Sequence, residues 1–239
     1  MNLESVQRMR FSVLLTVLWS SVCGAGEIHA EFPKRIDPNA SYVFYSHGFI
    51  VEGDNPRPEH PKWGVYDFPD VVLGLSDPSF QLIAYHRAKN TDPDAFASKL
   101  VDDVHALMRA GVTPQRITLI GFSRGGAITI QVSSQLARED LNFVILAGCG
   151  TYLESKPELK LHGTVYSVRE VSDHLVGSCK TLVERSPGVI GFSELVIDTG
   201  KEHGAFYQPR PEWIDPVKSW IKRDADNSKN TQDGVKFNE

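Results

Sequence analysis

The chain has 239 residues, 41% of them hydrophobic and 23% charged, which is typical of a globular protein with one hydrophobic core. Its formal net charge is -5 at pH 7, and its lysines and arginines form no cluster. This distribution excludes the general attraction to phosphate backbones that concentrated positive charge provides, so we expect no nucleic-acid partner.

The N-terminal segment has the pattern of a secretory signal peptide. Two arginines precede an apolar run over residues 11–19, and small residues then lead to Ala25 and Ala30, after either of which cleavage is expected. The run is short for a bilayer span and no stop-transfer segment follows it, so a retained signal anchor is the alternative. We predict a signal over residues 1–30, no stable membrane span after cleavage, and a secreted or periplasmic protein.

The first predicted strand covers residues 41–46 and ends at His47 and Gly48. A loop rich in proline, glycine and charged residues follows over residues 51–64, and its unusual length indicates a functional or mobile segment. It contains His60 among several carboxylates, but the spacing matches no known pattern of metal ligands. We therefore interpret it as a solvated loop and predict no metal site.

The rest of the chain alternates helical and strand patterns. In chain order the predictions are a helix over 66–75, a strand over 80–85, a helix from Asp92 to Gly111, a strand over 117–120, a helix over 127–137, strands over 143–147 and 164–168, a helix over 181–184, a strand over 192–197 and a helix over 213–221. Apolar strands joined by long crossovers predict an α/β fold with a mostly parallel sheet of about six strands and helices on both faces. Residues 223–239 have almost nothing to bury and are predicted to be a disordered tail, which leaves one domain over 31–222.

The strongest functional signal is the G-x-S-x-G sequence formed by Gly121, Ser123 and Gly125 with the residues between them. It follows the strand pattern of 117–120 and precedes the helix pattern of 127–137, which is the context of a nucleophile elbow. Small residues on both sides of the serine are needed because strand and helix pass close together there. The alternative is a tight strand-to-helix turn without catalytic function.

A serine hydroxyl becomes a good nucleophile when a base removes its proton and an acid orients that base. Two later loops follow the carboxyl ends of predicted strands, where parallel sheets place their sites. The second loop contains His203, the candidate base, and the first contains Asp173, the favoured acid. Glu170 and, after it, Asp198 remain alternatives to Asp173, which we favour because its longer distance from the strand lets the loop curl back toward the histidine.

With these residues the chain resembles an α/β-hydrolase, whose catalytic residues follow the chain order Ser, Asp or Glu, His. The resemblance covers roughly residues 41–222 and implies a triad of Ser123, Asp173 and His203. No large cap domain lies between Ser123 and Asp173 in the sequence, so a compact α/β-hydrolase domain is expected. The chain departs from the family at its start, since the antiparallel strands that usually begin this fold are missing or irregular.

The oxyanion of a tetrahedral intermediate needs two backbone N–H donors. The resemblance places one at Arg124, which follows the nucleophile, and the other at Phe49 after the His-Gly turn. His47 is expected to support that turn. Together with Arg87 and Arg124 it is also a candidate for binding substrate, because the two arginines suggest an anionic substrate group. The alternative is that both arginines are tied to loop carboxylates.

Two cysteines, Cys149 and Cys179, remain after the predicted signal. They follow adjacent predicted strands that end at the same edge of the sheet, so they can approach each other. The prediction is a disulfide that braces the acid-bearing loop by about 3 kcal/mol, with two buried free thiols as the alternative.

The sequence as a whole predicts a secreted or periplasmic serine hydrolase, most simply a carboxylesterase that forms an acyl-enzyme and requires no metal or organic cofactor. Without a cap domain the pocket should be shallow and roofed by residues 49–65 and 151–160, which favours a small or accessible ester as substrate. The alternatives are a non-catalytic binding module with this fold, an acyltransferase and a peptidase with the same triad.

Overall fold

A computed structural model gives the fold of residues 26–233, with side chains described for residues 26–223. The described residues form nine strands and five α-helices. In chain order these are β1 (Ile28–His29), β2 (Tyr42–Ser46), β3 (Glu59–His60), β4 (Gly64–Val65), α1 (Phe68–Leu75), β5 (Gln81–Ile83), α2 (Pro93–Arg109), β6 (Ile117–Phe122), α3 (Arg124–Leu136), β7 (Asn142–Leu146), β8 (His162–Glu170), α4 (Lys180–Glu184), β9 (Gly188–Ile197) and α5 (Pro211–Asp233).

Seven strands form one sheet in the order β1-β5-β2-β6-β7-β8-β9, and every described pair in it is parallel. The prediction of an α/β fold with a parallel sheet is confirmed, with seven strands instead of six. The additional strand is β1, which has only two residues and therefore no readable periodicity. The strands β3 and β4 pair antiparallel as a separate hairpin within the loop that follows β2.

Helices cover both faces of the sheet because successive side chains of each strand point to opposite faces. On one face Val43 and Tyr45 of β2 join a cluster that includes residues of α1 and α5. On the other face Tyr42 and Phe44 pack with residues of α2 and α3. All five residues of β2 are buried, so the centre of the sheet is the core of the domain.

The pairing register brings the carboxyl ends of the central strands to one edge. Ser46 at the end of β2 pairs with Gly121 of β6, and Leu146 at the end of β7 pairs with Val168 of β8. The end of β8 in turn pairs with the end of β9 through Glu170 and Ile197. The loops expected to hold the functional residues therefore leave the sheet side by side.

Helix α2 begins where the sequence signals predict. In α2, Asp92 caps the first turn by accepting hydrogen bonds from Asp94 N at 2.8 Å and Ala95 N at 3.2 Å, and Pro93 is the first helical residue. No helix among the described residues has the length and apolar character needed to cross a membrane.

The described residues begin within the predicted signal peptide and end within the predicted tail. The predicted signal over 1–30 lies outside the described residues except for 26–30, which contain β1. At the other end α5 continues to Asp233, so the first part of the predicted disordered tail is helical, and 234–239 lie outside the described residues. The helix continues because each further helical residue adds one hydrogen bond once a packed first half has formed the nucleus.

Candidate active site

Ser123 occupies a sharp turn between β6 and α3. Its backbone has φ 54° and ψ −116°, a conformation that side chains with a Cβ seldom adopt. A Cβ at Gly121 would collide with the backbone carbonyl of Gly125, and a Cβ at Gly125 would collide with that of Ser46. Both glycines are thus required for strand and helix to meet at the serine, as the elbow interpretation predicts.

A continuous chain of hydrogen bonds connects Ser123, His203 and Asp173. The Oγ of Ser123 lies 2.8 Å from His203 Nε2, and His203 Nδ1 lies 2.6 Å from Asp173 Oδ2. A carboxylate only accepts, so Nδ1 donates to Asp173, and Nε2 is then free to accept from the serine hydroxyl. His203 and Asp173 are both buried, and the other carboxylate oxygen of Asp173 accepts from Leu175 N at 3.0 Å.

The two alternative acids are placed elsewhere. Glu170 accepts hydrogen bonds from Ser172 and from the backbone N–H groups of Thr199 and Gly200, so it joins the end of β8 to the loop after β9. Burial raises the pKa of Glu170, but these hydrogen bonds outweigh it and hold the pKa below its ordinary value. Asp198 is exposed to solvent. Of the three candidates, the structure brings only Asp173 to the histidine.

The two residues predicted to supply oxyanion donors lie next to each other. Arg124 is the first residue of α3, where backbone N–H groups have no acceptor within the helix. Phe49 begins a short 3-10 turn after β2, and its ring centre lies 4.8 Å from the guanidinium carbon of Arg124. Gly48, Phe49 and Ser123 line the same cleft. Phe49 and Arg124 thus each line a cleft that contains Ser123.

His47 is wholly buried and both of its ring nitrogens are engaged with the backbone. Nε2 accepts from Arg87 N at 2.9 Å, which leaves the proton on Nδ1 to be donated to Gly48 O at 2.8 Å. Burial, with a smaller contribution from the Arg87 charge, lowers the pKa of His47 well below its ordinary value, so the ring stays neutral. His47 therefore fixes the turn that carries Phe49 and has no exposed surface with which to contact a substrate.

Both candidate arginines face the same carboxylate. Nε of Arg87 lies 3.2 Å and Nε of Arg124 lies 3.4 Å from Oε1 of Glu52, whose side chain is 2% exposed. The side chain of Arg87 is completely buried and also donates to the backbone carbonyl of His47. A loop carboxylate therefore holds both arginines, which is the alternative that the sequence analysis gave to their binding an anionic substrate group. Arg124, with 29% of its side chain exposed, is the one that still reaches solvent.

Two clefts meet at Ser123 and His203. We call the first the aromatic cleft, because Trp63, Tyr66, Phe122 and Tyr207 line it, and its volume is about 160 Å³. The second, the small-residue cleft, is lined by residues that include Ala127, Ala147, Gly148, Gly150 and Tyr152, and its volume is about 270 Å³. The predicted roof segments 49–65 and 151–160 each contribute residues, the first to the aromatic cleft and the second to the small-residue cleft.

Trp63 was not predicted as a site residue, yet it packs against the histidine. It lies between β3 and β4, and its ring centre is 5.4 Å from that of His203. Its indole nitrogen donates to Glu202, which also pairs with Lys62. A Cβ at Gly204 would collide with Trp63. No local sequence pattern signals this contact, because it joins two loops far apart in the chain.

The predicted disulfide between Cys149 and Cys179 is present. It joins the loop after β7 to the segment that follows Asp173, and Gly177 N donates to Cys149 O at 2.7 Å beside it. The loop carrying Asp173 is thus fixed at both ends, by β8 and by the disulfide. Among the described residues, no group of three or more His, Cys, Asp or Glu side chains could hold a metal ion.

Comparison with known proteins supports the fold. No protein-family model matches the chain, and no curated protein matches its sequence. A phospholipase/carboxylesterase from Dyadobacter fermentans superposes with a TM-score of 0.55 at 16% identity, covering 78% of this chain and 92% of that one. A predicted CIB-like hydrolase from Thermoplasma acidophilum gives a TM-score of 0.53 at 18% identity, with coverages of 79% and 89%. An esterase/lipase from an uncultured bacterium gives a TM-score of 0.52 at 12% identity, and the superposition covers 80% of this chain and 80% of that one. The chain has the α/β-hydrolase fold.

Proposed function

We propose that the protein is a serine hydrolase that cleaves a small or accessible carboxylic ester through a covalent acyl-enzyme. The observation that carries this proposal is the hydrogen-bond chain from Ser123 Oγ through His203 to Asp173, at 2.8 and 2.6 Å. These distances are within reach for proton transfer and orientation of the base. Two proteins of the same fold are described as an esterase/lipase and a phospholipase/carboxylesterase, which favours ester chemistry.

In the first half of the proposed reaction, Ser123 Oγ attacks the carbonyl carbon while its proton passes to His203 Nε2. Asp173 keeps the imidazole in the required tautomer and stabilises its positive charge. The backbone N–H groups of Phe49 and Arg124 bind the oxyanion of the tetrahedral intermediate. His203 then gives its proton to the leaving alcohol as the carbon–oxygen bond breaks, and the acyl group remains on Ser123.

In the second half a water molecule takes the place of the alcohol. His203 accepts a proton from the water as its oxygen attacks the acyl carbon, and the same N–H groups bind the new oxyanion. The intermediate collapses with release of the carboxylic acid, and the proton returns from His203 to Ser123 Oγ. Every proton is thus moved by residues of this chain.

The two clefts limit the substrate. The aromatic cleft places aromatic rings beside the serine, and the small-residue cleft places small residues there. Volumes of about 160 and 270 Å³ are below the range of about 300–1,000 Å³ that is usual for drug-sized ligands. We therefore expect short acyl groups and small or protruding alcohols to be accepted.

The N-terminus also supports a proposal about processing. Glu27 O and His29 O accept hydrogen bonds from Leu82 N and Ala84 N, both at 2.9 Å, so β1 is part of the sheet. Cleavage after Ala30 would remove this strand, whereas cleavage after Ala25 would preserve it. We propose that a signal peptide is removed after Ala25 and that the mature enzyme is secreted or periplasmic, where the disulfide is stable. A mature protein whose N-terminal sequence begins at Glu31 would contradict cleavage after Ala25.

The hydrolase proposal is tested with neutral short-chain esters such as 4-nitrophenyl acetate and butyrate and with the protein from residue 26 onward. We expect the wild type to hydrolyse them and Ser123→Ala to lose activity by about 10³-fold or more, since a triad acts as a unit. Ser98→Ala, a change of an exposed serine in α2, is the matched control and should retain the wild-type rate. Equal rates for Ser123→Ala and the wild type would reject Ser123 as the nucleophile.

A further inference from the structure

Two arginines near Ser123 share one carboxylate. Arg87 and Arg124 are within ion-pair distance of one carboxylate, Glu52, and neither pairs with a second carboxylate among the described residues. The side chains of Glu52 and Arg87 are almost completely buried, so solvent screens their charges poorly. The group formed by Arg87, Arg124 and Glu52 therefore has one more positive than negative charge, while the carboxylate of Asp173 pairs with His203.

Of the two arginines, Arg124 is the one that can present its positive charge to a ligand. Its Nε faces Glu52, and its Nη2 donates to the backbone oxygen of Thr91 at 3.2 Å. In the described part of the chain, Nη1 has no protein acceptor, although a guanidinium carries five N–H donors. These two contacts and the Phe49 ring hold the side chain in one position, with 29% of it exposed.

The guanidinium of Arg124 lies near the site of the proposed reaction. Arg124 lines the small-residue cleft together with Ser123 and His203, and it follows the nucleophile directly in sequence. Its guanidinium carbon lies 4.8 Å from the ring centre of Phe49, the other residue proposed to donate to the oxyanion. The guanidinium therefore borders a cleft in which part of an ester bound at Ser123 would lie.

We propose that Arg124 selects esters that carry an anionic group, such as a carboxylate, a few bonds from the scissile carbonyl, an inference that rests on the proposed ester hydrolysis. A preorganised guanidinium binds a carboxylate through charge-assisted hydrogen bonds, and Arg is well suited to this because its planar donors match carboxylate geometry. Glu52 orients the guanidinium and, being shared with Arg87, does not neutralise it. Arg87 holds the turn at His47 and Gly48 through its hydrogen bonds to His47, and it supplies the second positive charge.

The test compares esters that differ only in charge. For an anion on the acyl side, ethyl hydrogen succinate is compared with ethyl levulinate, a neutral ketone of the same length. For an anion on the alcohol side, O-acetylglycolate is compared with acetoxyacetone. Rates are followed by NMR detection of the released ethanol or acetate. We expect kcat/KM for the anionic member of one pair to exceed that for the neutral member by about ten- to a hundredfold, the effect of a hydrogen bond to a charged group.

Variants of Arg124 test whether its side chain causes the preference for anionic esters. Arg124→Met removes the charge and retains the backbone N–H, so the ratio of anionic to neutral kcat/KM should fall to about one. Arg124→Lys retains a point charge without the planar donors and should give an intermediate ratio. In the wild type, raising the salt concentration from about 0.01 M to about 1 M should lower the ratio, because the Debye length falls from about 30 Å to about 3 Å.

The outcomes separate this inference from the proposed function. Hydrolysis of the neutral esters without preference for either anionic ester would overturn the role of Arg124 and leave the hydrolase intact. An equal loss of both rates in Arg124→Met, with the ratio unchanged, would also overturn it and would assign the charge to oxyanion stabilisation. Reaction of Ser123 with a fluorophosphonate verifies that each variant is folded. Failure of the wild type to hydrolyse any ester or to react with that probe would reject the proposed function itself.

Discussion

The indole nitrogen of Trp63 donates a hydrogen bond to the carboxylate of Glu202 across 3.1 Å, joining residues that are 139 positions apart. Glu202 immediately precedes His203, and its backbone has a φ of 51°, in the left-handed region that is unfavourable for glutamate. The hairpin of β3 and β4 therefore holds the loop that presents the histidine to Ser123. Trp63 also forms a wall of the aromatic cleft, so one side chain contributes to both the base and the pocket.

Removing this contact should affect turnover more than substrate binding. In Glu202→Ala the indole loses its acceptor, and we expect kcat to fall by about fivefold, the effect of one hydrogen bond, with KM little changed. Glu202→Gln is the matched control, because its amide oxygen can still accept from Trp63 while the ion pair with Lys62 is lost. Steady-state kinetics on one neutral ester provide the measurement. Equal kcat values for the Ala and Gln variants would show that the indole hydrogen bond does not position His203.

The assignment of the acid is tested by exchanging each carboxylate for its amide. Asp173→Asn should lower kcat by about 10³- to 10⁴-fold, because an amide can donate to Nδ1 and favour the wrong histidine tautomer. Glu170→Gln should retain turnover to within a few-fold, since Glu170 bonds to Ser172, Thr199 and Gly200 and not to His203. A larger loss in Glu170→Gln than in Asp173→Asn would reverse the assignment.

Glu170 is instead expected to contribute to stability in a pH-dependent way. Burial raises its pKa, yet hydrogen bonds from Ser172 and two backbone N–H groups bring the folded-state pKa below the ordinary value. A carboxylate with a lowered folded-state pKa stabilises the protein above its unfolded-state pKa of about 4.3. At pH 7, Glu170→Gln should therefore lower the free energy of unfolding by about 2 kcal/mol, or Tm by about 4–8 °C.

The difference in free energy of unfolding between the wild type and Glu170→Gln should shrink as the pH falls below about 4.3. It should disappear below the folded-state pKa, where Glu170 is protonated in both the folded and the unfolded state. Thermal unfolding of the wild type and Glu170→Gln over a pH series checks the sign. A Tm difference that grows with acidity would contradict the hydrogen-bonded carboxylate.

The disulfide should stabilise both the fold and the site. Cys149 and Cys179 are 30 residues apart, and closing a loop of that size stabilises a protein by about 3–4 kcal/mol in the chain-entropy treatment. The double variant Cys149→Ser/Cys179→Ser should have a lower Tm and a lower kcat, because the loop carrying Asp173 then loses its covalent attachment to the loop after β7. Reduction of the wild type under mild denaturation should reproduce the loss, and the double variant should not respond to reductant. An unchanged Tm in the double variant would contradict this role.

Much of the architecture could be predicted from local patterns. The alternation of apolar strands with helices predicts the parallel sheet, and glycines around Ser123 predict the elbow because a Cβ at either position has no space. The pairing of Cys149 with Cys179 followed from the rule that neighbouring parallel strands end at the same edge. These inferences succeed because each depends on the regular geometry of strands, sheets and turns.

Contacts between loops could not be predicted in the same way. Glu170 is the last residue of β8 and Asp173 lies in the loop after it, and only the path of that loop in space decides which carboxylate meets the histidine. The sharing of Glu52 by two arginines and the contact of Trp63 with Glu202 join irregular segments with no periodicity. The strand β1 is too short for a pattern, and its edge position depends on pairing with β5.

The most direct measurement is the mass of the protein after reaction with a fluorophosphonate. If Ser123 is activated by His203, fluoride is displaced and one phosphonyl group is added to the wild type, with the adduct located on the peptide that contains Ser123. The variants Ser123→Ala and His203→Ala should gain no mass under the same conditions. An unmodified wild type with a cooperative thermal transition, or an adduct on another residue, would contradict a covalent mechanism at Ser123.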